Sequence, residues 1–298
     1  EDLKLIKKYP KLTADALLVR DFGNQIIEII GGRSIHPINT TIGGFLKLPE
    51  KRKLISLFKR ISSVLKSGEN LAKLFSSLKY PKYIRTALFV SLSQKSTYAI
   101  YDGLINVSGE EKEAVNQFLK IVEQYQLTGS PVKYSLYHGK PFMVGALSRL
   151  NNNWQFLNPG AKKIFQTAKI DLPNFNPFYN ILAQAIEIVH CTEESEKLLK
   201  KIIAKDLSHN DIEEKKELVK RRLSTIKNSS YGTAAIEAPR GTLYHSYERD
   251  PTGKILNCRI ITPTAQNIVR LEEDLKNYLY EILEIKNINS PNYSEKIK

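Results

Sequence analysis

Residues 234–267 read AAIEAPRGTLYHSYERDPTGKILNCRIITPTAQN, a run of strand, turn and helix signals. Ala234 to Ile236 forms a short strand. Glu237-Ala238-Pro239-Arg240-Gly241 follows, and a second extended run continues through Tyr247. Asp250-Pro251-Thr252-Gly253 is a strong turn signal, because Pro presets φ, Asp accepts local backbone bonds and Gly tolerates left-handed geometry. Ile255 to Ile261 returns as a strand, giving a β-hairpin. A helix from about Asn267 to Ile285 closes the readable fold.

The rest of the chain reads as mostly helical. Thr13 to Ile30 reads as a helix, with Thr13 as N-cap, apolar residues Leu18, Phe22, Ile26 and Ile29 at helical spacing, and Gly31-Gly32 as the stop. Gly31 to Pro49 is punctuated by glycine and proline. A second helical stretch runs from Glu50 to Leu78, with a break expected at Ser67-Gly68. Residues 87–107 read as short strands turning at Asp102-Gly103. Glu110 to Tyr125 reads as a helix and 134–157 as extended and turn-rich. A long helix follows Pro177 to about Lys205, and a charged one spans Ile212 to Lys227. There is no βαβ alternation, internal repeat or glycine-rich phosphate loop. The expected class is mainly α with small β-hairpin insertions (α+β), in one domain over residues 1–298.

Composition narrows the function. The 298 residues are 42% hydrophobic, enough for a substantial core. No apolar run approaches the roughly 18–20 residues of a spanning helix, and no signal peptide is visible. The formal net charge of +14 raises a nucleic-acid reading. Its lysines, such as Lys197, Lys200, Lys201 and Lys205, are spread as on solvated helix faces, and no zinc-finger, basic-zipper or ribonucleoprotein pattern accompanies them. No nucleic-acid partner is therefore expected. Cys191 and Cys258 are the only cysteines. They form no local pair, so a reducing, cytoplasmic setting is the default, and both read as small buried hydrophobes.

Three segments are unusual for a plain helical protein. Gly31-Gly32-Arg33-Ser34-Ile35-His36-Pro37, followed by Gly43-Gly44-Phe45, is either a helix stop with an irregular loop or a rigid loop presenting Arg33 and His36 to a partner or cofactor. In Glu237–Gly241, Arg240 stands on a proline-stiffened loop. It suits an anionic or electron-rich ligand, or else it closes an internal salt bridge with Glu237. Thr262-Pro263-Thr264-Ala265-Gln266-Asn267 is a helix cap by itself. The hairpin, however, would return Thr264 to the neighbourhood of Arg240 and so form a pocket.

Together, GGRSIHP with its following GGF, EAPRGTLYHSYERDPTGKI and TPTAQN resemble the large subunit of nickel–iron hydrogenases, in particular the cytoplasmic multi-subunit members. Val144 to Asn151 (VGALSRLN) is similar to the family's VGPLARxN stretch, and Asn176-Pro177-Phe178 followed by Glu187 keeps the expected order. The likeness runs from about residue 12 to about 285. EAPRG with its hairpin is the most specific element. TPTAQN departs from the commoner PTTWN or PSTWN, and Ser148 replaces an alanine.

The resemblance implies a hydrogenase large-subunit-like helical bundle body. It implies H2 as substrate, split heterolytically at a nickel–iron centre whose iron carries cyanide and carbon monoxide, with electrons leaving to an iron–sulfur small subunit and further electron-transfer subunits for NAD(P) or a similar carrier. It gives Arg240 and Pro239 catalytic positions beside the centre, and makes Arg240, Pro263 and Thr264 contacts to its diatomic ligands. Ile260 would offer a backbone carbonyl to a magnesium-type site. His36 and Arg33 would face the small subunit, and Glu237 would orient the Arg240 loop. The two CxxC pairs that ligate the metals in the family are not in this sequence, which is expected to be a fragment cut inside both. The alternative is a metal-free relative similar to the quinone-site subunit of respiratory complex I.

Overall fold

The computed structural model describes residues 6–42, 44–205, 217 and 228–283. The helices are α1 (Pro10–Gly31), α2 (Lys51–Ser77), α3 (Val115–Ile121), α4 (Ala146–Asn153), α5 (Pro159–Thr167), α6 (Asn180–Ala204) and α7 (Pro263–Ile282). The strands are β1 (Thr40–Thr41), β2 (Gly44–Phe45), β3 (Leu88–Ser93), β4 (Leu104–Val107), β5 (Val122–Gln126), β6 (Lys133–Tyr137), β7 (Phe142–Met143), β8 (Ser230–Ala238), β9 (Gly241–Arg249) and β10 (Ile255–Ile261). The mixed α+β class read from the sequence holds. The helix expected over 212–227 lies outside the described residues, apart from position 217.

Three apolar clusters organise these elements. Phe22 of α1 packs with Leu57, Ile61 and Val64 of α2 and Leu199 of α6. Leu147 and Leu150 of α4 join Phe165 of α5, Ile186 and Val189 of α6, and Phe89 of β3. A third cluster lies among the small sheets, where Phe118 of α3 stacks between Tyr137 and Tyr244 with ring centroids 5.4 and 5.2 Å apart. Each fully buried side chain of this size contributes roughly 1.5–3 kcal/mol.

Several elements differ from the sequence reading. α1 starts at Pro10 with Tyr9 as cap; Thr13 sits inside the first turn, and its Oγ1 donates to the Tyr9 carbonyl at 2.9 Å. α2 runs unbroken through Ser67-Gly68. A Cβ on Gly68 would lie 3.4 Å from Ile188 of α6, so the glycine marks close helix approach and not a break. Ser67 Oγ donates to Asp15 of α1 at 2.5 Å, which satisfies it inside the interface.

The helix expected from Glu110 to Tyr125 shrinks to α3, and Val122 onward pairs with β6 as a hairpin. Tyr125 stacking on Tyr134 (5.2 Å) and the β-branched Val122 favour that cross-strand pairing. Conversely, 146–153 is helical where extended chain was expected. Its buried face meets β3 and α6, and Asn153 donates to the Leu92 carbonyl at 2.8 Å. α7 starts earlier than expected, at Pro263 in the N1 position, with Thr262 accepting from the Ala265 N–H.

Sheet order β10-β9-β8 is antiparallel. At the β9–β10 turn, Asp250 Oδ1 accepts from the N–H groups of Thr252 (2.8 Å) and Lys254 (3.0 Å), as the sequence signal required. Among the described residues, no helix is long and apolar enough to cross a membrane.

Candidate functional site

The EAPRG segment is the tip of the β8–β9 hairpin. Ala238 pairs with Gly241, leaving Pro239-Arg240 as a two-residue turn. Gly241 has φ +135°, and a Cβ there would fall 2.3 Å from Val144 Cγ2. A Cβ on Gly145, at φ +119°, would lie 3.1 Å from the Arg240 carbonyl oxygen. The two glycines let the tip press onto the start of α4.

Beneath the tip lies Arg149 of α4, only 4% exposed. Its Nε and Nη2 donate to the two oxygens of Glu187 on α6 at 2.6 and 2.7 Å. Its Nη1 donates to Glu237 Oε2 at 2.8 Å and to the Ala238 carbonyl at 2.9 Å. Nη2 also donates to the Pro239 carbonyl at 3.2 Å. Every N–H of the guanidinium fork is used. Glu237 Oε1 accepts in turn from the Leu92 N–H (2.7 Å) and Thr242 Oγ1 (2.8 Å). Tyr98 donates its hydroxyl to Glu187 at 2.7 Å.

The electrostatics follow from this packing. Burial opposes the Arg149 charge, but Glu187 and Glu237 outweigh it and hold the guanidinium well above its ordinary value. Burial raises the Glu237 carboxyl despite Arg149 and its other donors. Glu237 therefore pairs with Arg149; the internal Glu237–Arg240 bridge considered from the sequence does not form.

Arg240 is exposed, and its side chain makes no hydrogen bond or ion pair among the described residues. It borders two clefts. One, of about 400 Å3, also contains Thr264, Asn267 and Gln184. The other, of about 500 Å3, contains Glu187, Cys191 and Pro239. Thr264 is exposed at the second position of α7, and Pro263 beside it is buried. The structure thus brings Arg240, Pro239 and Thr264 to adjoining walls. Ile260 lies on β10 opposite His245, away from both linings.

Arg33 and His36 border neither cleft. They stand exposed in the loop after α1, where Arg33 Nε donates to the His36 carbonyl and His36 takes φ +51°. Ile35, Ile38, Ile42 and Leu46 of the same segment are also exposed.

The cysteines correct the sequence reading, since both are exposed. Cys191 opens only onto the second cleft; the protein crowded round its other sides strips water from the thiol and, with Glu187 nearby, pushes it up to about 12. Cys258 lies on β10 opposite Tyr247. Among the described residues no group of three or more His, Cys, Asp or Glu could hold a metal ion. What Arg240 and Thr264 bring to the first cleft is hydrogen-bond donors.

Arg149 and Asn267 are the residues whose importance the sequence hid. Arg149 sits in an apolar run, which signals a buried cation, but its carboxylate partners are 38 and 88 positions away.

A family model described as nickel-dependent hydrogenase matches residues 86–283. Sulfhydrogenase 1 subunit alpha of Pyrococcus furiosus is 33% identical over 277 residues, covering 92% of this chain and 62% of the relative. The NAD-reducing hydrogenase HoxS subunit beta of Cupriavidus necator is 24% identical, covering 89% and 58%. A crystal structure of an NAD+-reducing [NiFe]-hydrogenase in the H2-reduced state superposes with a TM-score of 0.74 at 21% identity, covering 92% and 62%. The chain thus spans about three-fifths of the length of these relatives. With the hairpin tip, the α4 arginine and the start of α7 all inside the matched span, the chain belongs to the nickel-dependent hydrogenase family.

Proposed function

We propose that this chain is the body of a nickel–iron hydrogenase large subunit, in one domain, working in the cytoplasm with an iron–sulfur small subunit and electron-transfer subunits for NAD(P) or a similar carrier. The observation that carries the reading is Arg240: a free guanidinium on a braced two-residue tip, sharing a cleft with Thr264. When bound, a nickel–iron centre with cyanide and carbon monoxide supplies the heterolytic cleavage of H2.

The chain's own residues have defined tasks in this reading. Arg240 presents several N–H donors in one plane on a cationic group. Donors fixed before reaction stabilise developing charge without reorganisation. Thr264 adds a hydroxyl donor from the first turn of α7. Pro239 offers apolar surface, the buried Pro263 fixes the first turn of α7 beneath Thr264, and neither brings an N–H that would compete. Ile260 is assigned a backbone carbonyl towards a magnesium-type ion. The exposed loop bearing Arg33 and His36, with its isoleucines, is assigned to the small-subunit interface.

The test uses the full-length protein in its assembled complex. Arg240→Lys is expected to keep nickel and lose most H2 turnover. Unchanged H2 oxidation in that variant removes Arg240 from the mechanism. A parent complex without nickel or H2-dependent dye reduction overturns the reading as a whole.

A further inference from the structure

Three consecutive backbone carbonyls at the hairpin tip are each held by a side chain from another element. Arg149 of α4 donates to those of Ala238 (2.9 Å) and Pro239 (3.2 Å). Asn267 of α7 donates to that of Arg240 (3.4 Å). A hairpin tip ordinarily turns its carbonyls to water. Here Pro239 has no N–H to anchor it, so its carbonyl is its one backbone handle.

Asn267 does more than touch the tip. Its Oδ1 accepts from the Val144 N–H at 2.9 Å, and its Nδ2 also donates to the Val144 carbonyl at 3.2 Å. Val144 and Gly145 are the residues against which Gly241 and the Arg240 carbonyl press. One amide therefore joins the start of α4, the hairpin tip and α7, and α7 is the helix that carries Thr264. Arg149 supplies the second joint, fixed to α6 by both oxygens of Glu187.

We infer that Arg149 and Asn267 are positioning residues for Arg240: they lock the backbone on either side of it so that its side chain leaves the tip in one direction, at a fixed distance from Thr264. A free long side chain on a loose tip would spread over many orientations. An error near 1 Å in placement costs about a hundredfold in rate. The activity part of the inference rests on the hydrogenase reading; the backbone part does not.

Lysine cannot replace Arg149 in this role, because a point charge cannot reach two carbonyls and two carboxylates in one plane. Asn267→Ala removes the other joint at a half-buried position, where loss of the fold is not expected.

The experiment compares Arg149→Lys and Asn267→Ala with the parent, each in the assembled full-length complex. Three quantities are read: deuterium exchange of the peptide spanning 238–241, the rate of phenylglyoxal modification of Arg240, and kcat and KM for H2 per bound nickel. Exchange and modification are expected to change by about tenfold, with kcat per nickel falling about tenfold and KM within about twofold. Unchanged exchange and kcat in Asn267→Ala overturn the inference. So does an activity loss that only follows nickel loss, since that marks a purely structural role. If the parent turns over no H2, the hydrogenase reading fails, and the exchange and modification data still decide whether the tip is locked.

Discussion

Arg149 and Glu237 meet at 2.8 Å in the interior, and the pair supports the hairpin tip from below. Glu187 shares the same guanidinium, so two carboxylates converge on one cation. Removing the cation leaves both uncompensated. Arg149→Ala is expected to destabilise the protein by about 3–5 kcal/mol, read as a lower urea midpoint. Adding Glu237→Gln should recover part of that loss. Strict additivity in the double-mutant cycle would show that the pair is not coupled.

The tip's close contact gives a second expectation. Gly241→Ala meets Val144 and also forces a positive φ on a side-chain-bearing residue. A loss of about 1–3 kcal/mol is expected. Ala at the exposed Gly129, where a Cβ meets nothing within 4 Å, is the control for positive φ alone, at φ +80°. Equal losses at the two positions would rule out the contact with Val144 as the cause.

Gly68 behaves oppositely. It lies inside α2 with helical geometry, and an added Cβ reaches only ordinary contact with Ile188 and Val189. Gly68→Ala should stabilise by about 0.5–1 kcal/mol through helix propensity and a less flexible unfolded chain. Gly68→Leu should destabilise by pushing α2 off α6. Thermal melting of both variants checks the pair of signs.

His190 provides a pH dependence. Its Nδ1 accepts from the Asn158 N–H at 3.0 Å, which puts the proton of the neutral ring on Nε2. Burial lowers its pKa, outweighing Glu194 and the other nearby carboxylates. Above the unfolded value of about 6.5 the ring is neutral in both states, and its contribution is complete. As pH falls below that value the unfolded chain binds the proton first, so stability declines until the lower folded pKa is reached. His190→Gln should flatten the fall of urea midpoints as pH drops below about 6.5. An unaltered slope would exclude His190 as its source.

Much of the fold was legible because local chemistry fixes it. The Asp250-Pro251-Thr252-Gly253 turn and the stop at Gly31-Gly32 need only neighbours in sequence. Where a residue answers to distant partners, the reading failed. Ser67-Gly68 resembles a helix break and is a helix crossing; 146–153 resembles loop and is a buried helix.

By itself, the sequence determined the hairpin, the helical body and the residue types around Arg240, since turn preferences, periodicity and motif order are properties of the chain. Only folding settled that Glu237 serves Arg149 and leaves the Arg240 side chain unpaired, that Asn267 binds the tip, and that both cysteines are exposed. Those outcomes depend on which buried donor lies nearest each acceptor, a question of packing between elements tens of residues apart.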